Sequence, residues 1–336
     1  MSQFHPLADQ LIAQLQGRID AALRPLLPSD GAYALLGFPN YANVGDSAIW
    51  LGTLVCLRAL GYPAPSYVCD DASYSREHLA QRLGNGTILL QGGGNLGDLW
   101  EQHQRFREAV IAAFPDNPII QLPQSIWFQD PAALARARAV FDRHRNLTLL
   151  VRDEQSLRLA RNEFRAPSML CPDLAFGLGP MQRPLPAGRK VVWLARSDRE
   201  AAPASQPPPG ARVETVDWLT ERQPQKLLAR GLARRGLLPA WTYDWLARRR
   251  LQRGVRLLSR GDVAITDRLH GHILCLLLGI PHALLDNSYG KVRNFHETWT
   301  RECGLTRWCD SGRDAMRIAG ELAVAPSDGL GRHLSE

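Results

Sequence analysis

The sequence predicts an α/β protein built on two mostly parallel sheets, each covered by helices. Three observations carry this. Short apolar runs alternate with amphipathic stretches along most of the chain, the pattern of strands buried on both faces. The alternation halts in a Pro-rich stretch, Pro180–Arg189, and then resumes. Glycine-rich and charged turns follow the strand-like runs directly, where open α/β sheets bind ligands. The expected division is 1–185, a Rossmann-like half with an N-terminal helix, and 186–336, a second Rossmann-like half with a C-terminal helix. A cleft should lie between them.

In chain order, Leu7–Leu27 has apolar residues at helical spacing and is stopped by Pro28 and Asp30-Gly31. Strands are then expected at Tyr33–Gly37, Thr87–Gln91, Pro118–Leu122, Leu147–Val151 and Ser168–Leu170. Helices are expected between them at Ser47–Leu60, Gly97–Phe114, Pro131–His144 and Asp153–Phe164. The second series has strands at Lys190–Ala195, Arg212–Val216, Val263–Thr266 and Ala283–Asp286, and an apolar helix at Ile273–Leu278. Pro203–Gly210 reads as a flexible surface loop.

With 336 residues and 45% apolar content, the chain can bury two cores without a disulfide or metal staple, and global disorder is excluded. The longest apolar run, Ile273–Ile280, is eight residues, far short of the roughly 18 of a membrane span. The N-terminus lacks a basic-then-apolar leader, so the expected location is the cytoplasm. Six cysteines are scattered without a CxxC pair, which suits buried free thiols better than a metal site, and no metal or organic cofactor is expected. The net charge is +7, carried by 37 arginines and only three lysines, Lys190, Lys226 and Lys291. Between Arg222 and Arg260 eleven bases face one acid, Asp244, a surplus of +10 that exceeds the whole-chain excess. The remainder is slightly acidic, which argues against a general nucleic-acid coat.

The chemistry-bearing turns come next. Gly37 to Ile49 includes Asn43, Gly45 and Asp46 between a strand and a helix; Asp46 or Ser47 could cap that helix, or Asp46 could act as a base. Gln91 to Trp100 includes Gly92, Gly93, Gly94, Asn95 and Asp98; three consecutive glycines suit a backbone that passes close to something. It is neither a Walker A loop nor a clean GxGxxG. Arg196 directly follows a strand. Asp267 reads as an N-cap that places Arg268, Leu269 and His270 in the first helical turn, where free amides favour an anion. Asp286 to Lys291, with Asn287 and Ser288, is a polar turn ending in a rare lysine.

Together these stretches resemble the polysaccharide pyruvyl transferase family. The resemblance rests on N-x-GD-x-A-I (43–49), GGGN-x-GD-x-W (92–100), V-R-D-E-x-S (151–156) and C-P-D-x-A-F (171–176). It continues through R-S-D-x-E (196–200), T-D-R-L-H-G-H (266–272) and D-N-S-Y-G-K (286–291), in family order over about residues 30 to 300. It implies a fold like the two-Rossmann, GT-B type. It also implies transfer of the pyruvyl group of phosphoenolpyruvate onto two sugar hydroxyls, forming a cyclic ketal and releasing phosphate. The acceptor would be a lipid-linked precursor of an exopolysaccharide or another cell-surface glycan. The family's Arg-Leu-His motif falls on Arg268, Leu269 and His270, and its upstream arginine on Arg196. Region 201–260 matches no family motif.

The residues fit that chemistry. Phosphoenolpyruvate carries about three negative charges, which Arg196, Arg268 and Lys291 with a helix N-terminus would balance, helped by Asn287 and Ser288. Enol ethers react by protonation at the methylene carbon, and His270, charged only with donor bound, is the expected acid. Asp46 or Asp173 would take a proton from an acceptor hydroxyl, beside Asn43, Gly45, Gly93, Gly94, Asn95 and Asp98 on the acceptor side. Region 222–260 suits either an anionic membrane surface, a lipid-linked diphosphate, or a solvated pair of helices on the second sheet. Two rival functions share parts of this pattern: a nucleotide-sugar glycosyltransferase of the same architecture, and an anionic-polymer binding module.

Overall fold

The protein is described by a computed structural model, which covers residues 6–27, 31–184, 190–211, 213–219 and 240–324. The expected boundary at 185/186, the helix stop at Pro28 and Asp30, and residues 222–239 of the basic region lie outside them.

The first sheet holds β1 (Tyr33–Leu36), β2 (Tyr67–Cys69), β3 (Thr87–Leu90), β4 (Gly93–Gly97), β5 (Ile119–Trp127), β6 (Leu147–Val151) and β7 (Ser168–Leu170). Its order is β2-β1-β3-β5-β6-β7, with β4 beside the far end of β5, and every pairing is parallel. The second holds β8 (Val191–Leu194), β9 (Glu214–Val216), β10 (Val263–Thr266), β11 (His282–Leu284) and β12 (Thr306–Trp308), ordered β12-β11-β10-β8-β9 and again parallel. Both sheets have one logic. The chain runs first to one side of the opening strand and then crosses to the other, creating a switch point between β1 and β3 and another between β8 and β10. Crevices at the carboxyl ends of such strands are where open sheets hold ligands.

The helices are α1 (Pro6–Leu23), α2 (Val44–Ala59), α3 (Arg76–Leu83), α4 (Glu101–Ala113), α5 (Pro131–Phe141) and α6 (Glu154–Glu163). After the crossover come α7 (Ala240–Leu258), α8 (Leu269–Leu277), α9 (Lys291–Phe295) and α10 (Gly312–Val324). Their starts follow from side-chain capping. Asn43 accepts from the Gly45 amide, Asp130 precedes Pro131 and accepts from Ala132, and Asp153 accepts from Ser156. One apolar core runs between the sheets, joining α1, α2, α7 and α8 through Ile19, Trp50, Leu251 and Ile273. That shared core fixes how the two sheets face each other. No helix among the described residues is long and apolar enough to cross a membrane, and all six cysteines are buried and free.

The expected strands and helices are found in place, with five additions, one of them the five-residue α9, and four corrections, one being that Gly97 belongs to β4 so that α4 starts only at Glu101. β2 and β12 are three residues each and α3 eight, too short for periodicity to register. β4 is Gly-Gly-Asn-Leu-Gly, which no strand propensity would select; pairing with β5 imposes it. Its partner β5 runs on through Pro123 to Trp127 rather than ending at Leu122, and its register with β6 shifts between Gln121 and Gln124. The proline lacks a donor, so the strand crosses it at an irregularity. The 203–210 loop is not free: Ser205 is buried and donates to the Asp286 carbonyl at 2.7 Å. Asp267 does not cap α8. Its Oδ1 accepts the Arg196 amide at 3.0 Å, Thr266 Oγ1 accepts the Arg268 amide, and Arg268 is itself the residue before the helix.

Candidate active site

A cavity of about 360 Å³ lies where the carboxyl ends of the two sheets face each other. The first sheet contributes Asn43 at the start of α2 and Asp46 in its first turn, Gly94 and Asn95 from β4, Trp100, and Arg152 at the end of β6. The second contributes Arg196, Asp198 and Glu200 after β8, Arg268, Leu269 and His270 after β10, and Lys291 at the start of α9. Two switch points thus supply one site.

The cations are not bare. Arg196 grips Asp198 with Nε and Nη2 at 2.9 and 3.0 Å, and its Nη2 also lies 3.1 Å from Glu200. Arg268 lies over the Trp218 ring, donates to Asp217 at 2.8 Å and reaches Asp198 at 3.5 Å, while its Nε is buried without a partner. Lys291 pairs with Glu200, which also accepts from the Trp100 indole and from Asn287, both at 3.2 Å. Burial works to raise the Glu200 carboxyl, but Lys291 and Arg196 hold it down at about 2. Burial pushes the Lys291 ammonium down to about 8, against the pull of Glu200. Burial also lifts Asp267 to about 7, although Arg196 and Arg268 oppose it, and its Oδ2 has no partner.

Behind the cations, Arg152, Asp173 and His270 form a linked trio. Arg152 Nη1 donates to Asp173 Oδ2 at 2.6 Å, and His270 Nε2 lies 3.2 Å from the same oxygen. The other carboxylate oxygen accepts the Ala175 amide. Burial works to raise the Asp173 carboxyl, yet His270 and Arg152 hold it well below the usual range. With Nε2 taken, His270 has Nδ1 left, and that atom rests on Gly45. A Cβ at Gly45 would sit 2.4 Å from Nδ1, and a Cβ at Gly94 would sit 2.6 Å from Arg152 Nη2 and 3.2 Å from Lys291 Nζ. These two glycines let the first half press its backbone onto the cationic side chains.

The expected site residues divide accordingly. Asp46, His270, Arg196, Arg268, Leu269, Lys291, Asn43, Gly94 and Asn95 line the cavity. Asp46 is oriented by a 2.8 Å bond from the Asn43 amide, and a Cβ on Gly93 would lie 3.6 Å from it. Asp173 is corrected: at 1% exposure and with its oxygens engaged, it cannot meet an acceptor hydroxyl and instead holds His270. Asn287 and Ser288 do not line the cavity; Asn287 receives the Lys291 amide on its Oδ1 and braces Glu200, and Ser288 is exposed. Asp98 turns away to accept the Gln129 and Asp130 amides at 2.7 and 2.6 Å. Arg152, Asp198 and Glu200 stood inside quoted motifs without a role. Tyr41 and Trp100 also lie inside those stretches without a role, whereas His103 and Trp218 have no local signal, since only the folded chain brings them to the cavity. Among the described residues, no group of three or more His, Cys, Asp or Glu side chains is placed to hold a metal ion.

Comparisons with known proteins bear on the family and the fold. Residues 43–289 match the polysaccharide pyruvyl transferase family. "Pyruvyl transferase 1" of Schizosaccharomyces pombe is 33% identical over 292 residues, covering 81% of this chain and 70% of that protein. EpsO of Bacillus subtilis, which carries a provisional pyruvyl transferase name, is 32% identical over 299 residues, 85% of this chain and 91% of its own. The crystal structure of the uncharacterized Klebsiella pneumoniae protein KP1_0663 shares the fold, with a TM-score of 0.60 at 18% identity over 88% of this chain and 99% of that one. The matched segment takes in all the described residues that line the cavity except Tyr41 and Lys291, each two residues outside it, and the chain belongs to the polysaccharide pyruvyl transferase family of enzymes.

Proposed function

We propose that the donor is phosphoenolpyruvate and that the product is a cyclic pyruvyl ketal on two hydroxyls of one sugar, within a lipid-linked precursor of a cell-surface glycan. The observation that supports this is the gathering of Arg152, Arg196, Arg268 and Lys291 beside the His270 imidazole in a single cavity. Guanidinium forks suit both the carboxylate and the phosphate of this donor. Charge balance shapes the reading. Asp46, Asp198 and Glu200 line the same cavity, with Asp173 and Asp217 directly behind, so the cations are already neutralised. A trianion enters such a site by displacing a carboxylate from a guanidinium and by bringing a proton with it. His270 takes that proton on Nδ1 while Nε2–H stays on Asp173.

The steps then balance. Nδ1–H of His270 protonates the methylene carbon, leaving an oxocarbenium-like centre that a sugar hydroxyl attacks. Asp46 removes the hydroxyl proton. Phosphate departs from the same carbon with the proton that Asp46 took, and the second hydroxyl closes the ketal as its own proton returns to His270 Nδ1. A reaction fed by an impermeant trianion belongs on the cytoplasmic side of a membrane. The test is phosphate release from phosphoenolpyruvate in the presence of acceptor. His270→Ala should lose at least 10²-fold in turnover, the usual scale for general acid catalysis; turnover like the parent rejects the role. Protection against heating by phosphoenolpyruvate, with none by nucleoside diphosphates, separates this reading from a nucleotide-sugar glycosyltransferase.

A further inference from the structure

The outer face of α7 takes no part in the transfer chemistry. Trp241, Trp245, Arg248, Arg249, Gln252 and Arg256 recur at helical spacing along it, while Tyr243, Leu246, Ala247, Leu251 and Val255 point into the core. Trp241 is 66% exposed, and the Arg249 guanidinium stacks on the Trp245 ring at 5.0 Å. Beside this stripe, α2 and α7 border a groove of about 390 Å³ whose floor is Leu51, Leu54, Met181 and Leu251, with Val55 37% exposed at its lip. Arg58, Arg248 and Arg256 stand around the groove, and among the described residues their guanidinium groups have no ion pair or hydrogen bond. The single acid there, Asp244, is tied to the Trp50 indole at 3.2 Å. The eighteen residues that run into α7, 222–239, add five bases and no acid to the sequence.

We propose that this face docks on an anionic lipid bilayer, with one acyl chain entering the groove and headgroup phosphates meeting the arginines. The charge is complementary to anionic lipid, and an exposed indole beside arginines is the composition of an interfacial helix face. A phosphate polymer or an acidic protein would use the arginines but leave the apolar groove and Trp241 in water. The surface is separate from the catalytic cavity, so the proposal stands independently of the donor's identity.

Vesicle co-sedimentation of the full chain tests it. Phosphatidylglycerol-containing vesicles should pellet the protein at low salt, pure phosphatidylcholine should not, and high salt should release it. At about fivefold per basic residue, Arg248→Glu with Arg256→Glu should weaken binding at least tenfold. Trp241→Ala and Val55→Asp should each weaken it several-fold, while turnover of a soluble sugar acceptor stays at the parent level. Soluble glycerol phosphate should fail to compete. Absence of anionic-lipid-dependent pelleting overturns the proposal. So does binding that Trp241→Ala and Val55→Asp leave unchanged, because the groove would then be idle.

Discussion

Gly45 and His270 meet across the cleft, and that contact turns a glycine motif into a statement about catalysis. Gly45 has no unusual backbone angle, so alanine is tolerated by α2 itself; the conflict is with the imidazole 2.4 Å from the added methyl. Gly45→Ala should therefore keep the fold, checked by circular dichroism, yet lose about 10²-fold in kcat/KM, the usual cost of misplacing a reacting group by about 1 Å. A parent-like rate would mean that the ring is not used where it lies. Lys291 permits a pH test at the same scale. Its ammonium is depressed to about 8, so the charge is present below pH 8 and lost above it. Donor KM should rise as pH climbs through about 8, and Lys291→Arg should remove that rise. At this scale much of the site was legible. Arg196 stands out because it directly follows a strand, and the same rule applied to β6 selects Arg152, which the sequence shows only inside the V-R-D-E-x-S stretch of the family resemblance. Asp173 was misread because nothing local shows that its carboxylate is consumed by two cations from elsewhere in the chain.

At the scale of elements, α8 carries site residues on one side and a buried histidine chain on the other. His282 Nδ1 faces the Ile280 carbonyl at 2.9 Å, so its Nε2 is free to accept from His272 Nδ1 at 2.7 Å. His272 Nε2 then accepts from the Thr300 hydroxyl at 2.8 Å, which in turn accepts from His296 Nδ1 at 2.9 Å. One set of tautomers satisfies every link, and it is neutral. Burial, with Arg301 and Arg293 adding repulsion, lowers His296 to about 4; burial lowers His282 to about 4 and His272 well below its ordinary value. Between about pH 6.5 and 4 the unfolded chain binds three protons that the folded chain refuses, so stability falls as pH falls. Asp267, raised to about 7, works in the opposite direction with one proton. The depressed histidines outnumber the raised Asp267, so stability should fall as pH falls through that window, read from denaturant midpoints. His296→Asn should flatten the slope, and a pH-independent midpoint would contradict the neutral chain. The histidines are visible in the sequence, but their linkage is not, since α8, β11 and the π turn at 296–300 are brought together only in the folded chain.

Across the whole molecule, both sheets are parallel, which is readable because alternation of apolar runs reports parallel strands wherever they occur, while the winding order they share is not. What alternation cannot report is how the two sheets face each other, which depends on side chains that cross the cleft. Glu200 is the clearest of these. It follows β8, yet it receives Trp100 from the first half, Lys291 and Asn287 from the start of α9 and its approach, and Arg196 from its own loop, at 3% exposure. Glu200→Gln keeps the shape and the indole bond but leaves two buried cations short of their shared anion. Breaking a buried ion pair in this way costs about 3 kcal/mol or more, so thermal stability of the free enzyme should drop. The same change makes the cavity one unit more positive, so an anion that fills it should recover more stability in the variant than in the parent. Thermal unfolding of both proteins with and without inorganic phosphate checks this directly. A larger phosphate-induced shift for Glu200→Gln means that the carboxylate holds the site's cations in place of the donor. Equal shifts would mean that the anion never reaches Lys291 and Arg196, and the charge-balance argument for donor binding would fail with it.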